Sequence, residues 1–298
     1  MVYHVPALLD ETVNGLNIRP DGIYVDVTFG GGGHSKEILK RLVGGRLIAF
    51  DQDEDALANA LDDRRFTLLN QNFRFLKNNL KFLGIESVDG IVADLGVSFH
   101  QFDEPMRGFT FRHDAELDMR MNRSAKNKAS DLLATLDEKE LADLFYNYGE
   151  LTNSRKIAGM IAETRNDRPI RTVSDLTGLL GRLVHRGQEN KFYAKLFQAL
   201  RIAVNHELDY LEEMLEQSLE ILNREGRLAV LTYHSLEDRI VKNFMRTGNF
   251  AGEEKKDFFG NPETPFRLVN RKAIVPGEQE KKINSRARSA KLRIAERI

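Results

Sequence analysis

Residues 23–51 read IYVDVTFGGGGHSKEILKRLVGGRLIAFD, and their pattern decides the fold. A short apolar run, Ile23 to Asp26, meets a glycine turn. A helix-period segment follows near Ser35 to Leu42, and a second apolar run covers Arg46 to Phe50. Strand, helix and strand in that order form a βαβ unit, and its crossover makes the two strands parallel. The alternation continues outward, with strands predicted at Phe66 to Asn70 and Val88 to Asp94 and helices near Glu54 to Leu61 and Phe75 to Leu83. The fold class is therefore α/β, a doubly wound sheet.

After Asp94 the alternation stops. Residues 96–123 are loop-like, and residues 129–205 read as several amphipathic helices broken near Gly149, Pro169 and Gly187. This is an inserted helical domain at 105–206, leaving 1–104 and 207–298 as the sheet domain. A long helix from Glu207 to Asn223 leads into a strand at Arg227 to Thr232 and a helix at Leu236 to Arg246. Residues 250–265 read as a loop, and Phe266 to Val275 with Ser289 to Glu296 as a closing hairpin.

A chain of 298 residues with 41% hydrophobic content can bury one large core or two smaller ones. No apolar run reaches the roughly 18 residues of a membrane span, and the N-terminus lacks a basic-then-apolar signal, so a cytoplasmic location away from membranes is expected. With no cysteine there is no disulfide, thiolate zinc site or cysteine nucleophile. The seven histidines show no close-spaced ligand pattern, so no metal is expected. The net charge of -1 hides segregation. Residues 1–106 hold 10 basic and 16 acidic side chains, 154–206 hold 10 and 4, 207–270 hold 8 and 13, and 271–298 hold 9 and 3. Two basic blocks flanked by acidic ones suit local binding of a polyanion; solvated helix faces would give the same count.

The glycine turn, Gly30 to Gly33, follows the first strand and opens a helix, where bare backbone can approach a ligand closely. Such a turn also matches a dinucleotide fingerprint, or a plain tight turn. Asp51 ends the second strand about 20 residues on, where a carboxylate accepts from ribose hydroxyls, which favours a nucleoside ligand. Asp26, at the end of the first strand, favours the cationic S-adenosylmethionine over a dinucleotide's pyrophosphate, although it can instead brace the turn. Phe73, past the third strand, lies where a ring packs on adenine or simply in the core. Asp94 and Gln101 flank the fourth strand's exit, the edge at which open α/β sheets bind ligands.

These residues and several further signatures resemble the bacterial ribosomal RNA small subunit methyltransferase H family, also called MraW, along nearly the whole chain. The signatures are Pro6-Ala7-Leu8-Leu9-Asp10-Glu11, Gly32-Gly33-His34-Ser35, Asp51-Gln52-Asp53, Asp94-Leu95-Gly96-Val97-Ser98 and Arg107-Gly108-Phe109. Leu117-Asp118-Met119-Arg120-Met121, Phe197-Gln198-Ala199-Leu200-Arg201, His234-Ser235-Leu236-Glu237-Asp238-Arg239 and Arg286-Ala287-Arg288-Ser289 complete the set. The resemblance implies a Rossmann-like class I methyltransferase sheet that uses S-adenosylmethionine to methylate the exocyclic N4 of a decoding-centre cytidine in 16S ribosomal RNA. It implies cofactor contacts at Gly32, Gly33, His34, Asp51, Phe73, Asp94 and Gln101. The family usually reads Ser-Ser-Pro-Gln where this chain has Ser98-Phe99-His100-Gln101, so the proline that fixes a backbone angle is missing.

For catalysis, the cytosine amine must be oriented and its lone pair released from the ring. Asp94 is the first candidate for this role. His234 and Ser235 follow the resumed strand and can steer the base or take a proton; alternatively, Ser235 with Asp238 caps a helix. The insertion, through Arg155, Lys156, Arg165, Arg168, Arg171, Arg182 and Arg186, and the C-terminal block are the expected RNA-facing cations, whereas Leu144, Phe145 and Tyr148 at helical spacing are read as core. Expected partners are small-subunit ribosomal RNA within an assembled 30S particle and a second copy of the chain. The competing classes are an NAD-dependent oxidoreductase and a non-catalytic RNA-binding assembly factor.

Overall fold

Parallel strands covered on both faces are near-continuous apolar runs, and the buried stretches Tyr24–Val25, Leu47–Phe50 and Ile91–Ala93 follow that rule. The computed structural model describes residues 6–98, 101–102 and 104–298. Strands β1 (Ile23–Asp26), β2 (Arg46–Phe50), β3 (Phe66–Leu69), β4 (Val88–Asp94), β5 (Leu222–Thr232), β6 (Phe266–Leu268) and β7 (Lys291–Arg297) form one sheet of order β3-β2-β1-β4-β5-β7-β6. Strands β1 to β5 run parallel, and β7 enters antiparallel between β5 and β6. The strand order reverses between β1 and β4. At such a switch point the connections leave the carboxyl ends in opposite directions, and the crevice between them is where doubly wound sheets bind ligands. The doubly wound α/β class read from the sequence is the class observed.

Two compact units divide the chain, residues 1–96 with 208–298, and residues 97–207. In the first, α1 (Leu9–Gly15), α2 (Gly33–Arg41), α3 (Leu76–Phe82), α9 (Glu207–Ile221) and α10 (Ser235–Thr247) accompany the sheet. Two apolar layers result, one around Ile48, Ile91 and Val230 and the other around Leu47, Val92 and Leu231. Successive residues of β2, β4 and β5 thus point to opposite layers, as the twofold repeat of a strand requires. Asp238 on α10 accepts from Lys291 Nζ at 3.0 Å and Arg293 Nε at 2.7 Å, tying that helix to β7.

In the second unit, α4 (Ala129–Thr135), α5 (Glu138–Asn147), α6 (Ser154–Arg165), α7 (Val173–Leu180) and α8 (Glu189–Asn205) enclose a core that includes Leu141, Phe145, Ile161, Leu176 and Leu200. Leu144 also lies in it, and Tyr148 packs against its edge. The Leu117 to Met121 signature is part of this architecture. Asp118 holds Arg120 through two hydrogen bonds of 2.7 Å, and the buried Arg107 donates to the carbonyls of Arg120 and Met121 at 2.8 and 2.9 Å. Buried Asn205 accepts from Met121 N at 2.7 Å and donates to Met119 O at 2.8 Å.

Four local readings are corrected. The segment from Glu54 is a 3-10 turn, Glu54–Asn59, because Asp53 folds back to accept from Asp55 N and competes with the α-helical bonding pattern. The segment expected from Phe75 begins with a 3-10 turn, Phe73–Phe75, capped by the Asn72 side chain, before α3 starts at Leu76. Helix α9 ends at Ile221 and β5 begins at Leu222, the intervening turn being absorbed as a register irregularity opposite Val88 and Gly90. The closing strands pair antiparallel, but α11 (Glu278–Ile283) and the 3-10 turn Ser285–Ser289 lie between them, so they do not form a tight hairpin. Among the described residues no helix is long and apolar enough to cross a membrane.

Asn205→Ala strands a buried N–H and a buried carbonyl in the signature loop. It is expected to cost about 2 to 4 kcal/mol of stability, read as a lower urea midpoint with the sheet's far-UV signal retained below the transition.

Candidate functional site

The carboxyl ends of β2, β1 and β4 each deliver an aspartate: Asp51 just after β2, Asp26 at the last position of β1 and Asp94 at the last position of β4. Asp26 is 1% exposed. Its Oδ1 accepts from Thr28 N at 3.1 Å and its Oδ2 from Ser35 Oγ at 2.6 Å, so its contacts are those of a brace for the glycine turn. Asp51 accepts from Gly30 N at 2.7 Å and Asp53 N at 2.9 Å. Each carboxylate oxygen has a second lone pair, so Asp51 keeps acceptor capacity for a ligand.

The glycine turn is shaped for close approach. Gly30 and Gly32 sit at φ +51° and +74°, the left-handed region that side chains disfavour, and a Cβ on Gly33 would fall 2.2 Å from Pro6 Cγ. Gly32 then caps α2 with bare backbone. Asn59 Nδ2 donates to Gly30 O at 2.9 Å and pins the far side of the turn. Phe73 begins the 3-10 turn after β3 and is half-buried against the core layer of Ile48 and Ile91.

The side chain of Asp94 retains 23% of its accessible surface, whereas Asp26 is sealed off. Tyr233 Oη donates to its Oδ1 at 2.6 Å, while Oδ2 lies 3.8 Å from His34 Nδ1. His34 is buried, and burial pushes its pKa down to about 4. It is therefore neutral near pH 7 and makes no ion pair with Asp94. Burial pushes Asp26 and Asp51 up to about 6, and burial together with the charges of Asp26 and Glu237, against the hydrogen bond from Tyr233, pushes Asp94 up to about 7. Among the described residues no lysine or arginine pairs with any of the three, so these groups leave the crevice edge with uncompensated negative charge where the carboxyls are ionised.

His234 is the N-cap of α10. Its Nδ1 accepts from Glu237 N at 3.4 Å, and Glu237 Oε2 accepts from Tyr233 N at 2.9 Å. The cap expected of Ser235 with Asp238 thus belongs to His234 with Glu237, one residue earlier in each case, because Asp238 is taken by Lys291 and Arg293. Gln101 belongs to the second unit, where it is buried and its Oε1 accepts from Ser98 N at 3.1 Å. Phe99 and His100, where the loop departs from the family pattern, lie outside the described residues.

The structure therefore brings together Gly32, Gly33, His34, Asp51, Phe73 and Asp94 at one edge of the sheet unit, with His234 following β5. Tyr233 was missed, because a tyrosine next to an apolar strand reads as core. Its position at the carboxyl end of β5, beside the strand that carries Asp94, emerges only from the strand order of the folded sheet.

A model of the MraW methylase family matches residues 1–298. The protein described as ribosomal RNA small subunit methyltransferase H from Flavobacterium johnsoniae is 58% identical over 299 residues, covering 100% of this chain and 99% of its own. The protein of the same description from Bacteroides thetaiotaomicron is 57% identical, with 100% and 98% covered.

A carboxylate held above its ordinary pKa weakens the folded state wherever it is ionised. For Asp94 that penalty is complete above about pH 7 and disappears as pH falls towards 4, where the unfolded carboxylate also protonates. In the ligand-free protein Asp94→Asn is therefore expected to raise stability by about 1 to 3 kcal/mol at pH 8, with the gain vanishing near pH 4. Parallel melts across that range measure it, and a pH-independent difference contradicts the electrostatic account.

Proposed function

Because the chain belongs to the MraW methylase family, we propose that it transfers the methyl group of S-adenosylmethionine to the exocyclic N4 of a decoding-centre cytidine in 16S ribosomal RNA. The observation that carries this reading is the trio of buried, cation-free carboxylates at the crevice. Such a potential attracts a ligand bearing a sulfonium and an ammonium and repels the pyrophosphate of a dinucleotide. S-adenosylmethionine, when bound, supplies an electrophilic methyl group.

The chain's own residues do the rest. The Gly30 to Gly33 turn admits the ligand against bare backbone, Asp51 accepts from ribose hydroxyls, and Phe73 packs on the adenine face. The unshared Oδ2 of Asp94 accepts one N–H of the cytosine amine, drawing the lone pair out of ring conjugation and towards the methyl group. Orientation within about 3 to 3.5 Å of the carbon supplies much of the acceleration. Positive charge would grow on the amine nitrogen as it is methylated, and the ionised Asp94 would stabilise it. The surplus proton passes to Asp94, whose pKa of about 7 suits a transient acceptor, and then to water. His234 works through the backbone, fixing the start of α10 beside Tyr233.

RNA is held by exposed cations in both units. In the insertion these are Arg155, Lys156, Arg182 and Arg186. Arg165 is diverted to the carbonyls of Leu133 and Leu136, and Arg168 to Asp175. In the sheet unit the C-terminal block opens a cavity of ≈ 480 Å³ lined by Glu278, Lys281, Lys282, Ser285 and Arg288. Phosphate contacts by these groups position the substrate, which we take to be the assembled 30S particle met in the cytoplasm.

Labelled methyl transfer to naked 16S RNA, 30S subunits and 70S ribosomes, with nucleoside mapping, tests the reaction. N4-methylcytidine at one decoding-centre position is expected, most with 30S, and no transfer to any substrate overturns the reading. Asp51→Ala should weaken S-adenosylmethionine binding by about 1 to 3 kcal/mol by calorimetry.

Joint reversal of Arg286 and Arg288 to glutamate is expected to weaken RNA binding and flatten its salt dependence, since fewer counterions are released. Cofactor affinity should barely change. A folded double variant with an unaltered salt slope removes the C-terminal block from the RNA surface.

A further inference from the structure

Asp94 needs a definite orientation and a negative charge to hold an amine, and its surroundings oppose both. Asp26 on β1 and Glu237 on α10 repel its charge, burial penalises it, and His34 on α2 is neutral. Thr28 is engaged with the backbone, its Oγ1 accepting from Asp94 N at 2.6 Å. One group favours the carboxylate form: the phenol of Tyr233, 2.6 Å from Oδ1.

The placement of that phenol is built into the fold. Strands β4 and β5 pair in register with Asp94 opposite Leu231, so Tyr233 leaves the sheet two positions beyond the partner of Asp94. Glu237 accepts from Tyr233 N at 2.9 Å and holds the backbone at that exit. Gly96, at φ +93°, turns the chain after Asp94 through a conformation that side chains disfavour, next to the Tyr233 ring. The phenol itself stays protonated, since burial and the charges of Asp94, Glu237 and Glu280 push its pKa well above the ordinary range. It is a permanent donor.

We propose that Tyr233 is a positioning residue for methyl transfer: its hydroxyl occupies Oδ1 of Asp94, favours the carboxylate over the acid, and turns Oδ2 towards the substrate amine. The inference rests on the reading of Asp94 as the group that holds the amine. A hydrogen bond to the charged form lowers a carboxyl pKa. Without it the balance moves towards the protonated acid, which is a poorer acceptor for an N–H and cannot take the surplus proton.

Tyr233→Phe removes one oxygen. The acidic limb of the kcat profile is expected to move up by about one pH unit, so that turnover falls roughly fivefold near pH 7 and largely recovers above pH 8.5. KM for S-adenosylmethionine should change much less. In the ligand-free protein, 13C NMR of the aspartate carboxyl carbons should show the Asp94 titration rising by the same amount, a readout that a purely structural tyrosine would not move. Incorporation of 3-fluorotyrosine at position 233, a stronger donor of the same shape, should move both curves the opposite way and stands in if Tyr233→Phe fails to fold. Unmoved carboxyl titration and an unmoved kcat limb overturn the proposal for Tyr233. Wild-type turnover by Asp94→Asn instead overturns the role of Asp94 on which it rests, whatever Tyr233 does.

Discussion

Three carboxyl groups gathered in a crevice, with no cation paired to them among the described residues, is the constraint on which the sheet unit turns. Asp26, Asp51 and Asp94 stand at the ends of adjacent strands because the parallel order β2-β1-β4 brings three carboxyl ends to one edge. Each is held above the usual carboxylate range by burial. Nothing about folding requires this arrangement. A lysine or arginine among the three would lower their pKa values and stabilise the ligand-free protein, and the chain has 44 such residues to use.

The cations are used elsewhere in the same unit. Arg227 and Arg267 share Glu296 at the far strands, Lys291 and Arg293 hold Asp238, and Arg74 meets Glu213 on α9. These pairs tie β7, α9 and α10 to the sheet and leave the crevice unneutralised. Stability and function are thus separated in space. The paired charges fasten the frame, while the unpaired ones are kept for a ligand that brings its own positive charge, as active sites commonly carry strain that the surrounding structure offsets.

Much of the frame was legible in the sequence because its strands are buried on both faces and its turns carry glycine. The bounds of β1, β2 and β4 coincide with the apolar runs, since a fully covered parallel strand has no polar face to blur its ends. The errors cluster where side chains bond their own backbone. Asp53, Asn72 and His234 each accept from a backbone N–H two or three residues on, changing a helix type or moving a cap in ways that periodicity does not register. Of the site, the glycines, Asp51 and Asp94 could be found because their offsets from a strand carry meaning. Tyr233 could not, because its value lies in a contact across 139 positions of sequence. The signatures at Arg107 and Leu117 to Met121 were equally opaque: their hydrogen bonds lie within the helical unit, so a family signature there marks architecture.

His34 illustrates how burial can protect a potential. A histidine 3.8 Å from a carboxylate would ordinarily be drawn into an ion pair, and a protonated His34 would cancel the charge of Asp94. Its burial lowers its pKa to about 4 while burial of Asp94 raises the latter to about 7, so the two values cross. Between those limits the favoured pair is neutral imidazole with neutral acid; above pH 7 it is neutral imidazole with carboxylate. At no pH does imidazolium face carboxylate as the dominant state. The same desolvation that makes the site costly therefore keeps its negative charge available to whatever cation enters the crevice.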